Sequence, residues 1–156
     1  MDAVRLIVTS RRALAGTGGT PDMLREVWQA QALAQAIGSR LAVTGPAELR
    51  GEALGLTELA GRGRAVLDVP RLCAEEPRAV ELTELGEVAL TLRHLGGLLG
   101  EVSIALVGLA CSASEEGVYW QCMEVIDAAD ESRDRVREML RKLADREALL
   151  PEREAG

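Results

Sequence analysis

The sequence predicts an all-α protein, an up-and-down bundle of four to five helices whose last two form a long antiparallel hairpin. Apolar residues at Leu85, Val88, Leu92, Leu95, Leu99, Val102, Leu106 and Leu109 step alternately by three and four, the spacing of one helix face. A second series, Val118, Cys122, Val125, Ala129, Ser132, Val136, Met139 and Leu143, repeats that alternation with only Ser132 polar. Two matching seams joined by a short connection make antiparallel neighbours. The third observation is compositional. The aromatics are Trp28, Tyr119 and Trp120, and there is no Phe, so the core is built from Leu, Val, Ile and Ala, which suit helix-on-helix contact better than strands.

The elements follow in order. Asp2 to Ala15 places Val4, Ile7 and Leu14 on one face of a short amphipathic helix, with Arg5, Arg11 and Arg12 free to point outward, and Gly16–Gly19 breaks it. Thr20-Pro21-Asp22 is a restart in which Thr20 caps, Pro21 fits the first turn and Asp22 complements the helix dipole. Met23, Val27, Ala30, Ala34, Ile37 and Leu41 carry that helix to about Val43, and Gly45-Pro46 ends it.

Residues 46–68 are helical by pattern but hold Gly51, Gly55, Gly61 and Gly63. The segment reads either as two short helices meeting near Gly55-Leu56-Thr57 or as one helix packed so closely that side chains are excluded, and one bent or broken element is the expectation. Val69 to Ala79, with Pro70 and Pro77, is the longest irregular stretch. The fourth helix is expected from Arg78 or Leu82 to Ala110. Ser112 and Glu115 fit a capping box opening a fifth helix that runs to about Arg146. Residues 1–150 form a single helical-bundle domain in this reading, with 151–156 a frayed tail.

Charge narrows the partners. The net charge is −7, and it is divided unevenly, +2 over residues 1–72 and −9 over residues 73–156. Neither half offers the basic face that duplex binding requires, so no nucleic-acid partner is expected. Leu95 to Cys111 is apolar enough to suggest a membrane span, yet Arg93, His94 and Glu101 lie in or beside it and the charge-free part is short. A central bundle helix accounts for it better, and no membrane partner is expected. Three cysteines, Cys73, Cys111 and Cys122, do not make a secreted disulfide framework, which favours a reducing cytoplasm.

No catalytic constellation is present. His94 is the single histidine and has Thr91, not Glu, three residues before it, so the carboxylate–histidine pattern of di-iron bundles is lacking. The cysteines lack metal-ligand spacing, and neither metal nor cofactor is expected. Glu124, Glu131 and Glu138 recur every seven residues beside the last seam, with Asp127, Asp134 and Arg141 in a second line, a pattern of solvated or ion-paired helix flanks.

Two features remain as candidates for binding a ligand or partner. Gly96 and Gly100 form a small-residue patch suited to a tight helix crossing or a twofold contact. Trp28, Tyr119 and Trp120 are large amphipathic side chains of the kind that anchor interfaces or wall pockets. Tyr119 and Trp120 project about 100° apart on a helix, so one of them must leave the seam.

The runs 28–36 (WQAQALAQA), 50–56 (RGEALGL), 119–122 (YWQC) and 126–132 (IDAADES) resemble those of a family of small uncharacterised all-helical actinobacterial proteins of unknown function. That resemblance implies an intracellular actinobacterial setting and brings no catalytic residue or ligand. The expectation is therefore a non-enzymatic helical interaction module, a homodimer that presents a helical face to a protein partner. The alternative is a small-molecule-binding sensor with an apolar inter-helix pocket near Trp28 and Tyr119 or Trp120.

Overall fold

The computed structural model describes residues 1–67 and 75–155, with side chains as far as Leu149. It holds α1 (Ala3–Ala15), α2 (Thr20–Thr44), α3 (Arg50–Val66), α4 (Val88–Ser112) and α5 (Glu116–Ala155), with 3-10 turns at Ala47–Leu49 and Arg78–Glu81. Among the described residues there is no strand, only an isolated bridge between Asp2 and Glu84. The chain is an all-α bundle.

Four helices close a ring in which α2 packs on α3, α3 on α5, α5 on α4 and α4 on α2. Side-chain pairs set the directions. Arg135 of α5 meets Glu52 near the start of α3, while Gln121, near the start of α5, donates to the Val66 carbonyl at the other end of α3. These two helices are therefore antiparallel. Glu76 and Arg78 lie beside Gln29 of α2, and Leu82 and Thr83 beside Arg40, so the chain reaches the far end of α2 before α4 turns back along it. Every neighbour in the ring is antiparallel, up and down. Outside the ring, α1 rests on α2 and α4 and runs parallel to α4, since Ala3 bonds to Glu84 and Arg11 to Glu101.

Both expected seams face inward and belong to one core. Leu92, Leu95, Leu99, Val102 and Leu106 of α4 are fully buried, as are Cys122, Val125, Ala129, Ser132 and Met139 of α5. Each buried leucine contributes about 1.5–3 kcal/mol of hydrophobic stabilisation. Ser132 is accommodated by donating to the Ala128 carbonyl of its own helix at 2.7 Å.

Helix ends depart from the sequence expectations, for identifiable reasons. α4 starts at Val88, later than Arg78 or Leu82, because Gly86 sits at φ +68° and interrupts helical geometry. Leu82 and Leu85 are still buried, so the apolar pattern continues through a stretch that is not helical. The Ser112–Glu115 capping box does not form: Ser112 is the last residue of α4, and its hydroxyl donates back to Gly108. α5 runs past Arg146 to Ala155. Thr20 lies inside α2, whose N-cap is Gly19, and makes no capping bond. Asp2 does cap α1, accepting from the Arg5 amide at 2.9 Å.

Of the segment 46–68, the described residues 46–67 form a 3-10 turn followed by the unbroken helix α3, and Asp68 lies outside them. The expected bend or break is absent: Gly61 and Gly63 serve close packing instead, Gly55 lies against the Arg135 side chain, and Gly51 has nothing within 4 Å of where its Cβ would be. A Cβ on Gly63 would lie 3.1 Å from the Gln31 side chain and 3.3 Å from the Cβ of Ala128, and one on Gly61 would lie 2.7 Å from Gln35. The first part of the expected irregular stretch Val69–Ala79 lies outside the described residues, which resume at Glu75.

Candidate functional site

The face of α4 opposite the core is the candidate. It carries Gly97, Gly100, Ile104, Val107, Gly108 and Cys111, bounded by α1 on one side and α5 on the other. Ile104 is 75% exposed and Val107 is 49% exposed, both large apolar side chains in water. On the α1 side, Arg11 forms a forked pair with Glu101, at 2.6 and 3.1 Å, which holds the Arg11 guanidinium more firmly charged. On the α5 side, Ser103 donates to Asp130 at 2.7 Å. An open groove of about 370 Å³ runs between α1 and α4, lined by Arg11, Arg12, Leu14, Glu101, Ile104 and Ala105.

The glycine patch serves a different purpose from the expected helix crossing. A Cβ on Gly100 would meet the Arg133 guanidinium at 3.3 Å, and one on Gly97 would meet that of Arg11 at 3.1 Å. These glycines seat two flat cations from the flanking helices. Gly96 faces Val136 at an ordinary 3.6 Å. The glycine of α4 that stays open is Gly108, with nothing within 4 Å of where its Cβ would be. The true close crossing is at Gly38 of α2, where a Cβ would lie 2.6 Å from the Thr57 hydroxyl and 3.0 Å from the Ala53 carbonyl oxygen.

Residues 1–142 match the family model described as a family of unknown function (DUF6099). The chain belongs to the DUF6099 family. No curated protein and no solved structure matches it. The DUF6099 match takes in α1 to α4 and the packed part of α5, ending at Lys142 beside Leu143, the last half-buried apolar residue among those whose side chains are described.

The aromatic candidates of this DUF6099 chain separate into interior and exterior. Tyr119 and Trp120 are both exposed and stack edge to face, centroids 5.2 Å apart, with the Trp120 indole N–H directed at Glu116. Trp28 is buried under the Arg64 guanidinium, 4.9 Å from its ring centroid. The cavities described in this structure are lined by none of the three.

Near Trp28 lie three polar residues that the sequence reading missed. Gln29, Gln31 and Gln35 interrupt an otherwise apolar α2, and Val27 to Ala34 is buried without a break because α1, α3, α4 and the Arg78 turn all cover it. Gln29 accepts from the Arg78 amide at 2.8 Å, and Gln35 accepts from Arg64 at 3.2 Å. Gln31 is fully buried, and among the described residues neither its oxygen nor its nitrogen has a partner, nor has Trp28 Nε1. The available signal was three glutamines spaced by two and four within one alanine-rich run.

The remaining sequence candidates have structural surroundings. His94 is half-buried at the edge of the α4 seam, as its position implies. Cys122 is buried, and desolvation pushes its thiol up, whereas Cys111 is exposed; both are free, and Cys73 lies outside the described residues. Glu138 pairs with Arg141 of its own helix, while Glu124 and Glu131 face water. Other acids tie α5 to the first half of the bundle: Glu52 of α3 pairs with Arg135 and Lys142, and Glu48 of the Ala47–Leu49 turn pairs with Arg146. Among the described residues, no group of three or more His, Cys, Asp or Glu is arranged to hold a metal ion.

Proposed function

We propose that this DUF6099 chain is a non-enzymatic helical interaction module that pairs with a second copy of itself through the outer face of α4 and presents helical surface to a protein partner. One observation carries the reading. The outer face of α4 turns the large apolar side chains of Ile104 and Val107, 75% and 49% exposed, to water beside the open Gly108. Contiguous exposed apolar surface marks an interaction site, and covering it is favourable by about 25 cal/mol per Å². The odd cysteine count supports a reducing cytoplasm, and the resemblance noted above supports an actinobacterial one.

Sedimentation equilibrium of the full chain tests the reading. A dimer is expected, and Ile104→Arg should convert it to a monomer with an unchanged unfolding midpoint at low protein concentration. A wild-type monomer at all concentrations, or a dimer indifferent to Ile104→Arg, overturns it.

A second reading, a small-molecule sensor, draws on the unpartnered Trp28 indole and Gln31 amide. Buried polar atoms without partners are costly, and a ligand that supplied them would be held firmly. In a Trp120→Phe chain, Trp28 fluorescence should then respond to a member of a metabolite panel. A flat response across the panel overturns the sensor reading.

A further inference from the structure

Resting on the self-pairing reading, we infer that two copies meet with their α4 helices parallel and in register, α1 of each copy lying over α5 of the other, and Arg12 facing Asp130 across the interface. The apolar strip cannot set this orientation. Between Arg93 and Ser112 the only charge on α4 is Glu101, already paired with Arg11. The flanks can set it.

On the α1 flank, Arg5 and Arg12 are exposed, and among the described residues neither has an acid within ion-pair reach. On the α5 flank, Asp127 and Asp130 are exposed without an ion-pair partner among the described residues, while the exposed Asp134 lies 3.7 Å from Arg137 of its own helix. The two flanks stand level. Arg11 is fixed beside Glu101 and Asp130 beside Ser103, so Arg12 and Asp130 sit at nearly the same height on opposite sides of α4. A twofold axis parallel to α4 exchanges the two sides and keeps the height, which carries the Arg12 of one copy to the Asp130 of the other.

A twofold axis across α4 does the reverse. It makes the helices antiparallel, sets α1 against α1 and α5 against α5, and so juxtaposes arginine with arginine and aspartate with aspartate. Like charges facing one another discriminate strongly against an interface. Gly108, open and without a neighbour, lets the two parallel backbones approach most closely there. Arg93 is about 22 Å away along the axis, where crossing helices have diverged. Cys111, one turn beyond Val107 on the same face and exposed, then lies near its twin.

A short bismaleimide applied to the full chain carrying Cys73→Ser should join two copies through Cys111 in high yield, and Cys111→Ser should abolish the product. Arg12→Glu and Asp130→Arg should each weaken the dimer at least tenfold, and the two together should restore most of its strength. A dimer of wild-type strength with no Cys111 product, or with charge reversals that do not rescue each other, overturns the parallel arrangement and leaves self-pairing intact. A monomeric wild type, including one that floats with phosphatidylglycerol vesicles, overturns both.

Discussion

The two helix hairpins of this bundle are held by different physics. Between α4 and α5 the buried contact is an apolar seam of leucine, valine and alanine with Cys122, Met139 and Ser132, and the Ser103–Asp130 hydrogen bond and the Arg133 guanidinium over Gly100 lie at its edge. Between α2 and α3 the backbones approach across Gly38, Gly61 and Gly63, and the space cleared by the glycines is filled with the amides of Gln31 and Gln35 and the Arg64 guanidinium. The first contact tolerates small adjustments because its parts are flexible side chains. The second does not, because at Gly38 the nearest atoms include the backbone of α3.

The largest effect should come from the seam. Leu99→Ala opens a cavity in a fully buried position and should destabilise the fold by about 2–5 kcal/mol in urea unfolding. A loss near zero would mean that the α4–α5 seam is not the main support.

Next in size is a paired glycine test, which separates the two hairpins directly. Gly38→Ala should cost about 1–3 kcal/mol, since the new Cβ meets the Thr57 hydroxyl and the α3 backbone. Gly96→Ala, with ordinary contact to Val136, should instead gain up to about 1 kcal/mol of helix propensity. Equal responses at the two sites would erase the distinction drawn here. The smallest expected change is a gain: Gln31→Leu removes an unpartnered buried amide and should stabilise by about 1–2 kcal/mol, measured as a raised urea midpoint.

Legibility in the sequence followed periodicity. The α4 and α5 seams could be read because each helix buries one continuous stripe, and a stripe leaves a period of three and four. α2 was harder. It is enclosed on nearly every side, so Trp28, Gln29, Gln31 and Leu33 are buried outside the stripe that the spacing marks, and the glutamines were hidden among alanines. Gly96 and Gly100 were visible as a small-residue patch, but what fills it was not. Arg11 and Arg133 come from helices distant in sequence, and a guanidinium laid on a glycine leaves no local signature. Nor could adjacency in the chain show that Tyr119 and Trp120 would both face outward and stack on each other.

By itself the sequence determined the class and which side of α4 and α5 turns inward, and it narrowed the helices to four or five, because those follow from local propensity and the period of apolar residues. Only the tertiary structure decided where α4 begins, which glycines admit a neighbour, and that α1 and α5 flank the bare face of α4. Those depend on residues tens of positions apart meeting at distances of a few ångströms, and such meetings are encoded by the packing of the whole bundle, not by any one stretch of it.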